Sequence, residues 1–164
     1  MNKTIVIYGS STGTCQAIAE KVASELGCEA IDVQNLDESV VNDNTNLILG
    51  TSTWGAGEMQ DDWYDGIKVL QAAKLDGKVI ALFGCGDAES YGDTFCGGMG
   101  ELYHGIENSG ATFVGKVATD GYTFDDSDAL VDGEFVGLPL DDVNEDDKTD
   151  ERISAWISSF KDKL

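Results

Sequence analysis

The sequence predicts an α/β fold, a doubly wound five-stranded parallel sheet in a single domain that covers residues 1–164. Three observations support this prediction. Short apolar runs alternate with segments of helical periodicity, as they do in βαβ units. The runs 47–49 and 79–83 are apolar at every position, which is typical of strands covered by helices on both faces. A length of 164 residues, 41% of them hydrophobic, suits one domain with its own core.

The apolar runs define five predicted strands. They cover residues 4–8, 29–32, 46–51, 79–83 and 112–117. The segment 120–140 breaks the alternation, because it combines three glycines with acidic residues and shows no helical period. We interpret it as a long insertion in the last strand, with Val136 and Leu138 as candidates for the point where the strand resumes.

Between the strands, apolar residues recur at helical spacing in three segments. These residues are Ile18, Val22 and Leu26 in the first segment, Met99, Leu102, Tyr103 and Ile106 in the second, and Ile153, Trp156, Ile157 and Phe160 in the third. Thr149 is the predicted N-cap of the last helix, with Asp150 and Glu151 in its first turn. Trp63 and Trp156 lie on helical faces and are predicted to belong to the core.

The strongest compositional feature is charge. Ten basic residues against 31 acidic residues give a net charge of −21. Such a surface repels nucleic acids and anionic membranes and favours basic protein partners, bound transiently by a monomer. Solubility alone explains the charge equally well. No apolar run reaches the ~18 residues of a membrane span. Strand-like residues begin at Thr4, where a signal peptide needs its apolar region, so the predicted location is the cytoplasm.

Cysteine and histidine are too few and too scattered for a zinc site. The cysteines, Cys15, Cys28, Cys85 and Cys96, show no CxxC spacing and are expected to be free thiols. His104, the only histidine, lies on a helical pattern and is not expected to act as a base. The acidic run 141–151 does not match the positions of an EF-hand loop. No metal site is therefore predicted.

The turn after the first strand has the features of a phosphate site. It places four hydroxyl side chains and a glycine directly before a predicted helix, in the order Ser10, Ser11, Thr12, Gly13, Thr14. A helix N-terminus offers unpaired N–H groups and the positive end of its dipole, and the hydroxyls add further donors. The turn has neither the lysine of a P-loop nor the GxGxxG of a dinucleotide loop. A capped helix start with incidental hydroxyls is the alternative.

Two further loops each place one large aromatic residue among small residues. Trp54 lies in the loop 51–58 and Tyr91 in the loop 85–93, and both loops follow predicted strands. In a doubly wound sheet these loops meet the phosphate turn at the carboxyl edge, where ligands bind. Aromatic side chains in such loops are explained if they cover a flat ring. The three loops together indicate a ligand with a phosphate and a planar ring.

With these loops in place, the sequence resembles the flavodoxin family, long-chain type, along essentially its whole length. The resemblance is carried by the motifs GSSTGT (9–14), GTSTWGAGEMQDDW (50–63), GCGDAESYGDTF (84–95), ATDGYTF (118–124), GEFVGLPLD (133–141) and KTDERISAW (148–156). As in flavodoxin, it implies the strand order 2-1-3-4-5 and bound FMN. It also implies a low-potential one-electron carrier that shuttles electrons between redox enzymes and is not itself an enzyme.

The resemblance also implies roles for residues of the three loops. It places the FMN phosphate in the turn 10–15 and the flavin ring between Trp54 and Tyr91. The residues that it implies for cofactor binding are Ser10, Ser11, Thr12, Gly13, Thr14, Cys15, Ser52, Thr53, Trp54, Gly55, Ala56, Gly57, Cys85, Gly86, Asp87, Tyr91, Asp93, Phe95 and Cys96. Cys15 departs from the threonine that is common in the family, and a thiol is a weaker donor than a hydroxyl. Gly55 stands where a larger residue is frequent, and glycine lowers the cost of a peptide reorientation.

Two other functions remain open from the sequence. An FMN-dependent NAD(P)H or quinone reductase has the same fold. Such an enzyme needs a substrate pocket beside the flavin, whereas Trp54 and Tyr91 are expected to occupy both faces of the ring. A flavin-free interaction protein leaves the phosphate turn and the aromatic loops unexplained.

Overall fold

A parallel β-sheet with helices on both faces forms the centre of the structure, a computed structural model that describes residues 3–55 and 57–164. The strands are β1 (Thr4–Gly9), β2 (Glu29–Asp32), β3 (Asn46–Thr51), β4 (Thr53–Trp54), β5 (Glu58–Met59), β6 (Val79–Cys85), β7 (Thr112–Val114), β8 (Val117–Ala118), β9 (Leu130–Val131), β10 (Glu134–Phe135) and β11 (Leu138–Leu140). The α-helices are α1 (Thr14–Leu26), α2 (Glu38–Asp43), α3 (Trp63–Ala72), α4 (Gly97–Ile106) and α5 (Thr149–Phe160). The three predicted helices correspond to α1, α4 and α5.

The sheet has the predicted order. Its main path is β2-β1-β3-β6-β11, and every pairing along this path is parallel. Strand β7 also pairs with β6 in parallel. Counted as one strand, β7 and β11 complete the order 2-1-3-4-5, so the predicted fold class is confirmed. Parallel neighbours require crossover connections, and the helices provide them on the two faces of the sheet.

The last strand is interrupted by an insertion, residues 115–137. Strand β7 pairs with residues 79–81 of β6, and β11 pairs with residues 83–85. Gly115 follows β7 with a φ of 79°, a left-handed conformation that suits glycine. The inserted chain forms an antiparallel sheet in the order β8-β10-β9.

The predicted limits of the last strand and of the insertion are therefore corrected. The strand predicted over residues 112–117 ends at Val114, because Gly115 turns the chain away and Val117 pairs with Phe135 in the small sheet. The insertion predicted over residues 120–140 wrongly includes β11. Leu138 resumes the strand, as one of the two candidates, and Val136 does not.

The sheet separates two apolar cores, because successive residues of a strand point to opposite faces. In β1, Ile5 and Ile7 face one core and Val6 faces the other. Trp63 is buried in the first core and Trp156 in the second, as predicted. Each fully buried aliphatic side chain contributes about 1.5–3 kcal/mol to folding. The two cores hold the strands rigidly, so the loops at the carboxyl edge start from fixed positions.

The start of α5 differs from its prediction. The helix begins at Thr149, Lys148 takes the N-cap position, and no side chain caps the helix. Thr149 Oγ1 donates instead to Asp142 Oδ1 at 2.8 Å. The predicted N-cap is wrong because a carboxylate in the preceding loop offers this hydroxyl a charge-assisted bond. Asp150 and Glu151 lie in the first turn, as predicted.

Within the part of the chain that the structure describes, no helix combines the length and apolar character that crossing a bilayer requires. In the same part, no three His, Cys, Asp or Glu side chains are grouped as metal ligands. The four cysteines are free thiols. The ring of His104 lies on α4, with Nδ1 2.6 Å from Glu107 Oε2 and Nε2 3.2 Å from the Asp128 carbonyl oxygen.

Candidate functional site

A cavity of about 260 Å³ opens at the carboxyl edge of the central sheet. It lies where β1, β3, β6 and β11 end, because the loops after parallel strands emerge at one edge. Each of these four loops contributes to its wall. The lining residues are Thr12, Thr14, Ser52, Thr53, Trp54, Gly55, Cys85, Gly86, Asp87, Tyr91, Thr94, Asp142 and Val143.

The turn between β1 and α1 leaves backbone donors free for a ligand. Gly13 takes the N-cap position with a φ of 93°, and no side chain caps the helix. The Gly13 amide donates to Ser10 Oγ at 3.1 Å, which closes the turn. Thr12 and Thr14 are exposed and line the cavity. These hydroxyls and the N–H groups of the first helical turn can therefore bind an anion such as phosphate.

Gln60 orients one hydroxyl of this turn. Its side chain is buried, and Nε2 donates to Ser11 Oγ at 3.1 Å. Its Oε1 accepts from the Asp62 amide at 2.9 Å, and its own amide donates to Thr51 Oγ1 at 3.0 Å. Because Ser11 already accepts from Gln60, its hydroxyl hydrogen is available for a ligand. No sequence pattern indicated this role of Gln60.

Two aromatic side chains line the cavity and stay largely exposed. Trp54 is 42% exposed and Tyr91 is 58% exposed. Nε1 of Trp54 donates to Ser52 Oγ at 2.8 Å, which fixes the orientation of the indole. Large exposed apolar side chains that line one cavity are typical of a ligand-binding site. Their position beside the anion-binding turn indicates a ligand with a flat apolar part.

The loop that carries Trp54 is positioned by close packing between two glycines, Gly57 in the loop and Gly97 in α4. Strands β4 and β5 form the hairpin that carries Trp54, and Gly57 in its turn has a φ of 93°. A Cβ on Gly97, at the start of α4, would lie 2.7 Å from the Gly57 carbonyl oxygen. Glycine at position 97 therefore lets the hairpin approach the helix closely. Glu101 of the same helix accepts from the Met59 amide at 2.9 Å and fixes the second strand of the hairpin.

The insertion supports the loop of the second aromatic residue from behind. The Gly92 carbonyl oxygen accepts from the Asp125 and Asp126 amides at 2.8 and 3.0 Å. The Phe95 amide donates to the Asp126 carbonyl oxygen at 3.2 Å. The rings of Phe95 and Phe124 stack with their centroids 5.7 Å apart. The insertion is thus attached to the wall of the cavity by backbone hydrogen bonds and by aromatic packing.

A charged side chain, Asp87, lies in the cavity wall. Its Oδ1 accepts from the Ser90 amide at 3.0 Å and from Asn144 Nδ2 at 2.8 Å. These hydrogen bonds, with the Ser90 amide first, hold the pKa of Asp87 below its usual range, so the carboxylate is ionised at neutral pH. Asp141 is buried and accepts from the Ala88 amide at 3.0 Å and from Asn144 Nδ2 at 2.9 Å. The loop after β11 is therefore tied to the loop after β6.

More than half of the residues predicted for the site line the cavity. They are Thr12, Thr14, Ser52, Thr53, Trp54, Gly55, Cys85, Gly86, Asp87 and Tyr91. Ser10, Ser11 and Gly13 belong to the same turn as Thr12 without lining the cavity. Gly57 is buried in the hairpin, and Asp93 is exposed in the loop of Tyr91. Ala56 lies outside the described residues.

Cys15, Phe95 and Cys96 are buried and do not line the cavity, so a role for them in cofactor binding stays a prediction. The thiol of Cys15 is buried, and the neighbouring Cys85, followed by burial, raises its pKa. Phe95 packs against the aromatic rings of the insertion, and Cys96 Sγ lies 3.7 Å from the Gly84 carbonyl oxygen. Apolar side chains gain more from burial than from exposure at a polar turn. Only the backbone groups of these residues remain available to a ligand.

Sequence reasoning missed Asp142 and Val143, which line the cavity. They follow β11, so the rule that ligands bind after parallel strands points to them once Leu138–Leu140 is recognised as a strand. The proline at its centre argues against a strand unless the strand lies at an edge, as β11 does. Thr94, between the predicted Asp93 and Phe95, also lines the cavity.

Together, the fold and the cavity define a class of protein: a doubly wound α/β domain with an anion-binding turn and exposed aromatic side chains at its carboxyl edge. Sequence comparison then identifies the family. The family model for flavodoxin matches residues 6–156. The chain belongs to the flavodoxin family, as the resemblance predicted.

Individual relatives agree with this assignment. The chain is 45% identical to Flavodoxin 1 of Azotobacter vinelandii, an alignment that covers 100% of this chain and 98% of that protein. It is 40% identical to the flavodoxin of Helicobacter pylori over 98% of both proteins. Among solved structures, the Fusobacterium nucleatum flavodoxin bound to flavin mononucleotide is similar with a TM-score of 0.93 and 32% identity, over 100% of this chain and 99% of that chain.

Proposed function

We propose that the protein is a low-potential electron carrier that binds FMN non-covalently. One cavity combines an anion-binding turn with two exposed aromatic side chains, and this combination carries the proposal. The similar flavodoxin of Fusobacterium nucleatum is bound to flavin mononucleotide. When bound, FMN supplies one-electron redox chemistry, and the protein supplies binding and electrostatics.

The residues present fit the phosphate of FMN and two regions of its ring. Residues 10–14 offer uncapped amides and hydroxyls that hold a phosphate without a basic side chain. Trp54 and Tyr91 offer the exposed aromatic surface that a flavin ring covers. Cys85, Gly86 and the loop of Tyr91 are proposed for the polar end of the ring. Binding thus removes from water both the flavin ring and the exposed surfaces of Trp54 and Tyr91.

Negative charge around the cavity favours a low potential. Asp87 is ionised in the cavity wall, and the whole chain carries −21. Negative surroundings raise the free energy of any added negative charge. Trp54 and Tyr91 exclude the water that would otherwise stabilise that charge.

The carbonyl oxygen of Gly55 is the proposed acceptor for a proton held at flavin N5. Gly55 lines the cavity and has a φ of 55°, in the left-handed region that favours glycine. A glycine at this position lets the peptide reorient at little cost when the protonation at N5 changes. The oxygen can then accept a hydrogen bond that it does not make otherwise.

We propose a carrier and not an FMN-dependent NAD(P)H or quinone reductase. Such an enzyme needs a substrate pocket on one face of the flavin. Trp54 and Tyr91 both line the cavity, which supports the proposal that they cover the two faces. Steady-state oxidation of NADPH in the presence of a quinone separates the two functions. A carrier is expected to show no more turnover than free FMN does.

The proposed partners are basic redox proteins, bound transiently by a monomer in the cytoplasm. The net charge of −21 supports electrostatic encounter with such partners. Complexes of electron carriers are generally small and short-lived, because the carrier must leave quickly. Four free thiols fit a reducing compartment.

A visible spectrum of the purified protein, followed by chromatography of the released cofactor, tests the proposed function. We expect flavin absorbance and FMN as the released compound. Among the described residues, the anion-binding turn of the site is the one before α1, which suits the single phosphate of FMN, whereas FAD carries two phosphate groups. A predominance of FAD, or a protein that takes up no flavin when FMN is added, contradicts the proposal.

Replacing Cys15 by alanine is expected to keep FMN affinity within about twofold of wild type and to destabilise the protein by about 1 kcal/mol. The thiol is buried against Cys85 and does not line the cavity. Titration calorimetry with FMN and urea unfolding of the apoprotein measure the two quantities. Cys28→Ala, at a half-buried thiol outside the site, is the control. A large loss of affinity with unchanged stability would mean that the thiol contacts the cofactor.

Replacing Phe124 by alanine is expected to weaken FMN binding by about tenfold. The ring stacks on Phe95 and so stabilises the loop that carries Tyr91. Losing such a contact costs about 1–2 kcal/mol, and 1.4 kcal/mol corresponds to a factor of ten. Fluorescence titration of the apoprotein with FMN measures the change.

A matched variant of the insertion separates its support of the site from its charge. Asp125, Asp126 and Asp128 have exposed side chains. The backbone amides of Asp125 and Asp126 donate to the Gly92 carbonyl oxygen, and these bonds do not involve the side chains. The triple change of these residues to asparagine is expected to keep FMN affinity and to slow reduction by a basic reductase. Wild-type affinity in Phe124→Ala would show that the insertion does not support the site. A wild-type reduction rate in the triple variant would show that partners do not use its charge.

A further inference from the structure

A second cavity lies between α5, the first residues of the insertion and the start of β11. Its volume is about 530 Å³, within the range of small-molecule sites. Its walls include the apolar side chains of Val117, Tyr122, Leu138 and Trp156. Nε1 of Trp156 donates to the Gly115 carbonyl oxygen at 2.8 Å, so this polar atom of the indole is already satisfied. The cavity shares no lining residue with the FMN cavity.

The wall of this cavity is richer in basic side chains than the chain as a whole. Lys116, Lys148 and Arg152 line it, and they are three of only ten basic residues in the sequence. The acidic residues in its wall are Asp120 and Glu151. The chain as a whole has 31 acidic residues, so a wall with more basic than acidic side chains is an exception on this surface. Glu145 pairs with Lys148 and Arg152, so, within the described residues, the unpaired basic side chain of the wall is that of Lys116.

Arg152, the only arginine of the chain, forms the polar part of the wall. Its side chain is 13% exposed, and Nη2 lies 3.1 Å from the Gly121 carbonyl oxygen and 3.1 Å from Glu145 Oε1. The guanidinium stands over the ring of Tyr122, 4.2 Å from its centroid. These contacts hold the guanidinium at the seam between the insertion and α5.

The guanidinium retains unused hydrogen-bonding capacity. Among the described residues, its buried Nη1 has no acceptor. A buried donor without a partner costs about 1–3 kcal/mol. Because this atom is buried, a carboxylate in the cavity reaches it only if the side chain rotates toward the cavity. The bond that then forms is charge-assisted and removes this cost.

The two lysines differ in their availability. Lys148 Nζ is paired with Glu145 Oε2 at 2.7 Å. This contact, the largest effect, and Arg152 hold the pKa of Glu145 below its usual range. Lys116 is exposed and makes no ion pair with the described part of the chain. Lys116 is therefore the lysine that is free to meet a ligand.

We propose that this cavity binds a small amphipathic carboxylate. The apolar body of the ligand packs against Tyr122 and Trp156, and its carboxylate faces Lys116 and Arg152. The charge complementarity of the wall favours an acid over a neutral compound with the same body. The site is independent of the FMN cavity, so both can be occupied at once.

Titration of the isotope-labelled full chain, loaded with FMN, with naphthalene-1-acetate tests this proposal. The shifts of the Trp156 indole N–H and of the Lys116 and Gly121 amides are followed by NMR. Naphthalene-1-acetamide has the same ring and no charge, and it is the reference compound. We expect shifts at these three groups and an affinity for the carboxylate about fivefold or more above that for the amide. Flavin absorbance is expected to stay constant, because FMN is not displaced.

Substitution of the proposed contacts completes the test. Lys116→Gln is expected to reduce carboxylate affinity by about fivefold and to leave amide affinity unchanged. Lys68→Gln, at an exposed lysine on α3, is the matched control and is expected to change neither. Equal affinity of wild type for the two compounds, shifts centred on Trp54 and Tyr91, or no shifts up to about 10 mM ligand would each overturn the proposal.

Discussion

Replacing Trp54 and Tyr91 together by alanine is expected to weaken FMN binding by about a thousandfold. Both side chains line the cavity and remain largely exposed without a ligand. The apolar area that each covers and its stacking on a ring are together worth about 2 kcal/mol. Since 1.4 kcal/mol is a factor of ten, the two losses multiply to about three orders of magnitude. Fluorescence titration of the apoprotein with FMN measures the dissociation constant.

The same double variant is expected to accept its second electron at a less negative potential. Water reaches the ring in the absence of the two side chains and stabilises the added negative charge. Redox titration in the presence of mediator dyes measures this midpoint potential. Tyr64→Phe, at an exposed aromatic residue outside the cavity, is the control. Wild-type affinity and potentials in the alanine variant would show that neither ring covers the cofactor.

The rate of reduction by a basic reductase is expected to fall at least tenfold between 0.1 M and 1 M salt. The chain carries −21, so long-range attraction guides it to a positive partner. The Debye length shrinks over this range from about 10 Å to about 3 Å, and electrostatic guidance accounts for factors of roughly 10 to 1000 in association rate. Stopped-flow measurement of the second-order rate constant at several salt concentrations gives its dependence on salt. Flavin absorbance shows whether FMN stays bound.

Charge variants locate the carboxylates that cause this dependence. The acidic residues expected to matter surround the site; they are Glu58, Asp61, Asp62, Asp87, Glu89 and Asp93. Neutralising Glu89 and Asp93 is expected to make the reduction rate less dependent on salt. Neutralising Glu29 and Asp76 is the control, because both are exposed next to the amino ends of β2 and β6, at the opposite edge of the sheet. A rate that stays flat with salt would show that the charge serves solubility and that docking depends on apolar contact around the cavity.

The central sheet could be predicted because its signal is local. The runs 47–49 and 79–83 are apolar at every position, which is typical of short strands covered on both faces. The last strand could not be delimited in the same way. Its second half is a three-residue edge strand with Pro139 at its centre, and its first half ends at a glycine whose φ is set by the fold.

In the candidate site, too, the features that could be predicted are those with a local signal in the sequence. The hydroxyl turn and the two aromatic loops are recognisable because polar or aromatic residues stand directly after apolar strands. The direction of a side chain is decided by contacts that are distant in sequence. Cys15 turns toward Cys85, and Gln60 reaches Ser11 across 49 positions. Neither contact produces a recognisable sequence pattern.

The interrupted edge strand makes the insertion a separable module. Val114 pairs with Ala81 and Leu138 pairs with Phe83, so one residue opposite Leu82 suffices to join the two halves into a continuous strand. A shorter chain built on this join keeps the same sheet order and the same phosphate turn.

In such a shorter chain, the side chain of Phe95 is no longer covered. The ring of Phe95 contacts Tyr122, Phe124 and Phe135, all of which belong to the insertion. Without them Phe95 stands in water beside the cofactor loop, where a polar residue is more favourable. Removal of the module from this chain is therefore expected to be tolerated better when Phe95 is replaced by a polar residue at the same time.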